Sequence, residues 1–311
     1  MSWLGDRAVS LSRGGVMLAL VAAASSLLTC ADPLDLCGPK TANLEFFSKG
    51  DCMLTRASFF QGHEWLTYFG NQQLPVGRRF SQADLQTIAE GNRRVDWPKE
   101  LLVNMNAGIV QYASAVTEYT DRPEVQRFHF LLDDRNDSAQ AAADAHAELE
   151  RLTLLALENW ESDKVKALTQ VGRANHLIQD SYSPAHTHRD TLDPDQPWCI
   201  IKVKAFIERA DGYDTPDIEY HGGTGKDTVG HTTTQDSIYR EGRDCLEPAG
   251  ADQVEACLSE PARRAILATA DYLALVQNMA AAVTLDNVSP EVIVSYGLPR
   301  YTSEHLSLCK D

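Results

Sequence analysis

The chain has no run of basic residues longer than two, and its formal net charge is −16. Sequence-independent binding of DNA or RNA rests on Lys and Arg neutralising phosphates, so no nucleic-acid-coating role is expected. There is no Gly-rich phosphate loop, no GxSxG elbow and no internal repeat. P-loop and α/β-hydrolase chemistry are thereby removed. No two cysteines stand as CxxC, which argues against a thiolate zinc site. Strand-like alternation is scarce and helical periods recur, so the expected fold class is all-α, a multi-helix bundle with a long irregular insertion.

A long hydrophobic run is lacking as well. The apolar stretch at 16–28, preceded by Arg7 and Arg13, is too short for a stable membrane anchor and has the shape of a secretory signal. Leu27-Leu28-Thr29-Cys30 resembles a bacterial lipobox with Cys30 as the lipidated residue, and Thr29-Cys30-Ala31 reads equally as an ordinary cleavage site. Either cut implies an exported protein: periplasmic, extracellular or an outer-membrane lipoprotein in a bacterium, with membrane anchorage through Cys30 under the first. The other six cysteines, Cys37, Cys52, Cys199, Cys245, Cys257 and Cys309, form an even set that suits disulfides in an oxidising compartment. Cys37 with Cys52 and Cys245 with Cys257 would close short loops.

The expected organisation is a signal segment at 1–30, an irregular cysteine-containing leader at 31–56, a helical domain at 57–290 interrupted by an insertion at 187–245, and a tail at 291–311. Residues 81–90 read as a short capped helix ending at Gly91, with Asp96 in the following loop before Pro98. An apolar helical period runs through 98–119. Residues 138–160 form an Ala-rich helix with a broad Leu face, on which His146 is expected on the solvated side. Ser162 is expected to cap the next helix, which runs to Asp180, and 259–285 reads as a long amphipathic helix with Arg263, Arg264 and Asp271 arguing against a membrane span. Residues 286–311 read as irregular chain.

Chemistry concentrates at 172–190, GRANHLIQDSYSPAHTHRD. His176 and Asp180 are four apart, so a helix presents both from one face. Pro184 ends the helix, and the turn at Ser183 and Pro184 should return His186 towards the same cavity. Further ligand types are His63 among aromatics, Asp96, His129 between Phe128 and Phe130, and His221, His231 and Asp236 in the insertion. Each has a plainer reading: a core histidine for His63, a helix cap for Asp96, a solvated pair for His176 and Asp180.

His176-x3-Asp180-x5-His186, with Pro184 two before the last His, resembles the central signature of the zinc-dependent phospholipase C superfamily, which includes the fungal zinc nucleases. The wording GRANHLIQDSYSPAH is closest to its Het-C-like branch. The resemblance covers roughly residues 59–236 and implies two or three zinc ions. Asp96, His129, His176 and Asp180 would hold one, and Asp180 would bridge to a second that His63 also binds. A third would take His186, His231 or His221, and Asp236. It further implies a zinc-dependent phosphodiester hydrolase acting on a phospholipid or another phosphodiester, with Asp96 orienting or deprotonating the attacking water. Gln235, not an acid, stands four residues after His231, and no metal-binding amino-terminal Trp lies near His63. These differences leave a catalytically silent, zinc-stabilised exported binding or effector protein as an alternative, with a zinc-dependent nuclease as another.

Overall fold

The structure is a computed structural model; it describes residues 62–96, 123–132, 137–184, 186–190, 198–204, 256–282 and 287–309. The described residues are mostly helical, in keeping with the all-α expectation, with one small antiparallel sheet. In chain order they are α1 (Gly62–Gln73), α2 (Gln82–Asp96), α3 (Pro123–Gln126), α4 (Ser138–Asn159), α5 (Lys164–Asp180), β1 (Thr187–Arg189), β2 (Ile200–Val203), α6 (Glu260–Ala282), α7 (Pro290–Ser295) and α8 (Leu298–His305). The signal segment with Cys30, the leader, the 98–119 period, and His221, His231 and Asp236 lie outside the described residues.

At the centre is α5, which packs against α2, α4, α6 and α1. Asp163 caps it by accepting from Lys166 N at 3.0 Å, one residue beyond the expected Ser162. The stretch 174–180 is buried throughout, including the polar Asn175, His176, Gln179 and Asp180. A helix wholly buried at its end must find internal partners for such groups.

Gly91 does not end α2, as its sequence suggested, because it lies opposite Gly172 where α2 crosses α5. A Cβ on Gly172 would stand 2.7 Å from Asn92 N and 2.9 Å from Gly91 Cα, so bare backbone is required on both sides. The helix continues through the crossing to Asp96, which is its last residue rather than a loop residue. That close approach carries Asn92 against α5. Similarly, a Cβ on Gly70 would meet Thr269 Cγ2 at 2.7 Å, which sets the spacing of α1 and α6.

The insertion begins as β structure: Thr187 lies opposite Val203 and His188 opposite Lys202, with an irregularity before Arg189. Its second strand reaches the C-terminus through the Cys199–Cys309 disulfide and the Cys309 N to Ile200 O bond of 2.9 Å. Cys257 is disulfide-bonded too. The expected irregular tail contains α7 and α8: Pro290 and Pro299 occupy first-turn positions, where a missing N–H costs nothing. His146 is half-buried rather than solvated, with Nε2 donating to Leu306 O at 3.0 Å. Helix α6 is long and apolar enough to cross a membrane, yet its apolar face packs into the bundle, burying Ile266, Leu273, Val276 and Met279.

Candidate metal centre

Four helix-and-turn segments converge on the Asp180 carboxylate. His63 comes from the first turn of α1, His176 and Asp180 from the last turns of α5, His129 from the turn after α3, and His186 from the turn after α5. The turn forms as its sequence implies, with Ser181 to Pro184 leaving the helix and His186 N bonding Ser183 O at 3.0 Å. His129 is aimed by a less common device. Phe130 has φ +52°, a left-handed conformation that costs a bulky residue about 1–2 kcal/mol. Its ring is buried, and the His129 carbonyl faces His186 Nδ1 at 2.6 Å.

The two carboxylate oxygens face different rings. Asp180 Oδ2 lies 2.9 Å from His176 Nε2 and 3.1 Å from His129 Nδ1, and these two nitrogens are 3.1 Å apart. Asp180 Oδ1 lies 3.2 Å from His63 Nε2 and 3.7 Å from His186 Nε2. His63, His176 and Asp180 form a group whose ligand atoms all lie within 4.8 Å of one another. For a tetrahedral ion with ligands at about 2.0–2.1 Å, neighbouring ligand atoms are about 3.3 Å apart, which the observed spacings bracket. A second group of ligand types, Asp190, Cys199 and Cys309, has both sulfurs in a disulfide and offers no thiolate.

The proton positions follow from one hydroxyl. Thr67 Oγ1 stands 3.1 Å from Asn92 Nδ2 and 3.0 Å from Gln179 Nε2. The hydroxyl donates once and cannot serve two amide oxygens, and the 3.0 Å contact between Asn92 Nδ2 and Gln179 Oε1 forbids turning one amide alone, so both present their NH2 groups to it. Asn92 Oδ1 therefore accepts from His176 Nδ1 at 3.0 Å, and Gln179 Oε1 accepts from His63 Nδ1 at 2.8 Å. Gln179 Nε2 also donates to Thr269 Oγ1 at 3.3 Å, and Asn92 Nδ2 to Gln179 Oε1 at 3.0 Å. The third ring, His186, has a backbone carbonyl at Nδ1 and must donate there too.

With Nδ1 protonated in all three rings, each neutral imidazole turns a bare Nε2 towards Asp180. Burial holds the rings neutral, lowering His63 well below the usual imidazole range and His176 to about 4. Burial opposes ionisation of Asp180, and His176, His186 and His63 hold its carboxyl well below the usual range only when acid has placed a proton on them. Lone pairs facing a buried anion repel it; His129 Nδ1 can supply one proton on the Oδ2 side only. The donor set, three anchored imidazoles and a carboxylate, is that of a cation site whose outer partners fix each tautomer.

Of the sequence candidates, the structure brings together His63, His129, His176, Asp180 and His186. His186 joins the Asp180 cluster, while His221, His231 and Asp236, expected beside it, lie outside the described residues. Only the backbone of Asp96 is described, one turn beyond Asn92 on α2. His188 is exposed on β1. Thr67, Asn92, Gln179 and Thr269 were not anticipated. Asn92 directly follows Gly91 and Gln179 directly precedes Asp180, and neither neighbour marks them as supports. Comparisons with known proteins returned no matching family model, curated protein or solved structure.

Proposed function

We propose that the chain is an exported zinc-dependent phosphodiester hydrolase of the phospholipase C type, related to the superfamily that its central motif resembles. The observation that carries the reading is the convergence of three imidazole lone pairs on one buried carboxylate, each fixed by an Nδ1–H bond. Imidazole and carboxylate are the ligand types zinc accepts. His176, His129 and Asp180 Oδ2 would hold one ion, and His63, His186 and Asp180 Oδ1 a neighbouring one. Zinc, when bound, supplies Lewis acidity towards a phosphoryl oxygen and ionises water near neutral pH. The chain's own residues position these groups: Asn92, Gln179 and the His129 carbonyl orient the rings, and Asp180 spans both halves. Asp96, at the end of the helix that carries Asn92, is the proposed base for the attacking water. The Cys199–Cys309 bridge supports an oxidising compartment, the setting in which such bonds persist.

The test is turnover of a soluble nitrophenyl phosphodiester by the full chain. Activity should require zinc, disappear with chelator and fall at least a hundredfold in Asp96→Asn. A zinc-loaded chain that hydrolyses no phosphodiester favours the second reading, a zinc-stapled exported binding protein. That reading draws on the near-complete burial of His63, His176, His186 and Asp180.

A further inference from the structure

Among the cluster histidines, His129 has the exposed edge: its side chain is 13% accessible, whereas His63 and His186 are at 1% and His176 at 0%. The cluster therefore opens on the side of the turn that carries Arg127 and Phe128. Two guanidiniums lie on the Phe128 ring, Arg127 at 5.9 Å and Arg173 at 5.5 Å from its centroid, within cation–π range. Arg173 is three residues before His176 on α5, so both share a helix face.

Among the described residues the charges there are unbalanced. The buried Glu148 carboxylate is shared by Arg127 Nε at 3.3 Å and by Arg151, which leaves Arg173 with no carboxylate in ion-pairing range among the described residues. In a chain of net charge −16, Arg127 and Arg173 on one ring, with Glu148 as the one described carboxylate paired to either, make a local attractor for anions. Arg presents a planar fork that matches phosphoryl and carboxylate oxygens.

We propose that Arg173, with Arg127 across the Phe128 ring, forms an anion subsite at the mouth of the histidine cluster, selecting phosphodiesters that carry a further phosphoryl group over those with a cationic choline arm. This rests on the phosphodiesterase reading for its substrate, but the subsite itself has an independent readout. The full zinc-loaded chain and Arg173→Met are compared on two soluble nitrophenyl phosphodiesters, one ending in choline and one in a phosphate monoester. The kcat/KM preference for the anionic diester should fall about tenfold in Arg173→Met, mainly through its KM, with part restored in Arg173→Lys. An unchanged preference overturns the subsite. If the native chain cleaves neither ester, the phosphodiesterase reading falls, and calorimetric titration with inorganic phosphate decides the subsite alone. A dissociation constant about tenfold weaker in Arg173→Met supports it, and superimposable isotherms overturn it; equal zinc content and melting temperature show that the variant is folded.

Discussion

Two buried charged sites flank the C-terminal end of α5, and they differ in whether the protein completes them. Arg189 is buried, with four of its five N–H groups matched. Its Nε donates to Ser181 O at 2.7 Å, its Nη2 to Ser181 Oγ at 3.0 Å and His305 O at 2.9 Å, its Nη1 to Trp198 O, and its face lies 3.9 Å from the Tyr182 ring centroid. Tyr182 Oη and His305 Nδ1 are 3.1 Å apart, and His305 Nε2 lies 3.2 Å from Asp271, so the clamp ties α5, β1, α6 and α8 together. Asp180 is the opposite case, a buried anion faced by lone pairs. A site whose donors and acceptors balance explains itself as structure, whereas one that balances only with a cation points to a ligand.

The largest effect expected from this contrast is at the clamp. Arg189→Met should cost about 3 kcal/mol by removing the donors to the Trp198 and His305 carbonyls and to Ser181 Oγ, leaving Ser181 O with Thr187 Oγ1 alone, and should lower the urea midpoint equally with and without zinc. Zinc content should not change; a metal-dependent loss would erase the distinction.

Asp180→Asn should behave in a way the clamp cannot. With zinc present it should be less stable than the native chain. In chelator the order should reverse by about 1–2 kcal/mol, because an amide N–H can donate to a bare Nε2 where the carboxylate repelled it. Thermal melts of both proteins under both conditions read this crossing, and lower stability of the variant in both would refute the assignment of tautomers.

Next in size, Thr67→Val keeps the shape but removes the hydroxyl that orients both amides. Zinc affinity should weaken about tenfold to a hundredfold although Thr67 offers no ligand atom, as competition with a chromophoric chelator can measure. Unchanged affinity would mean the amides do not set the rings.

Acid gives the smallest and most graded effect. His63 and His176 are lowered in the folded state, His176 to about 4, so below the unfolded value near 6.5 the unfolded chain binds more protons. The stability they contribute is complete above about pH 6.5 and is lost as pH falls towards about 4. Asp180, also lowered, acts in the same direction at lower pH. Denaturant midpoints at pH 7 and 5 should therefore decrease with acid, while zinc stays bound to lower pH than exposed imidazoles allow.

Much of the ligand set was legible because it is local. The His176–Asp180 spacing needs only a helix, the return of His186 needs only Pro184, and His129 is announced by its flanking aromatics. What escaped depends on partners far along the chain. Gly91 has the composition of a helix stop, and only Gly172 on another helix makes it a crossing point. Asn92, Gln179 and Thr67 sit at unremarkable helical positions, and their role exists only once α1, α2 and α5 meet. The C-terminal helices were obscured because Pro290, Gly297 and Pro299 read as breakers, when two of them are helix starts. Arg189 carries no local mark of burial, because its burial needs the C-terminal segment that Cys309 holds in place.

The most direct measurement is metal analysis of the full chain purified without added metal, paired with its melting temperature before and after chelation. Two or three zinc ions per chain, and a melting temperature that drops when they are removed, are the predicted result. A chain that contains no metal, takes none up on titration with zinc and melts at the same temperature throughout would contradict it.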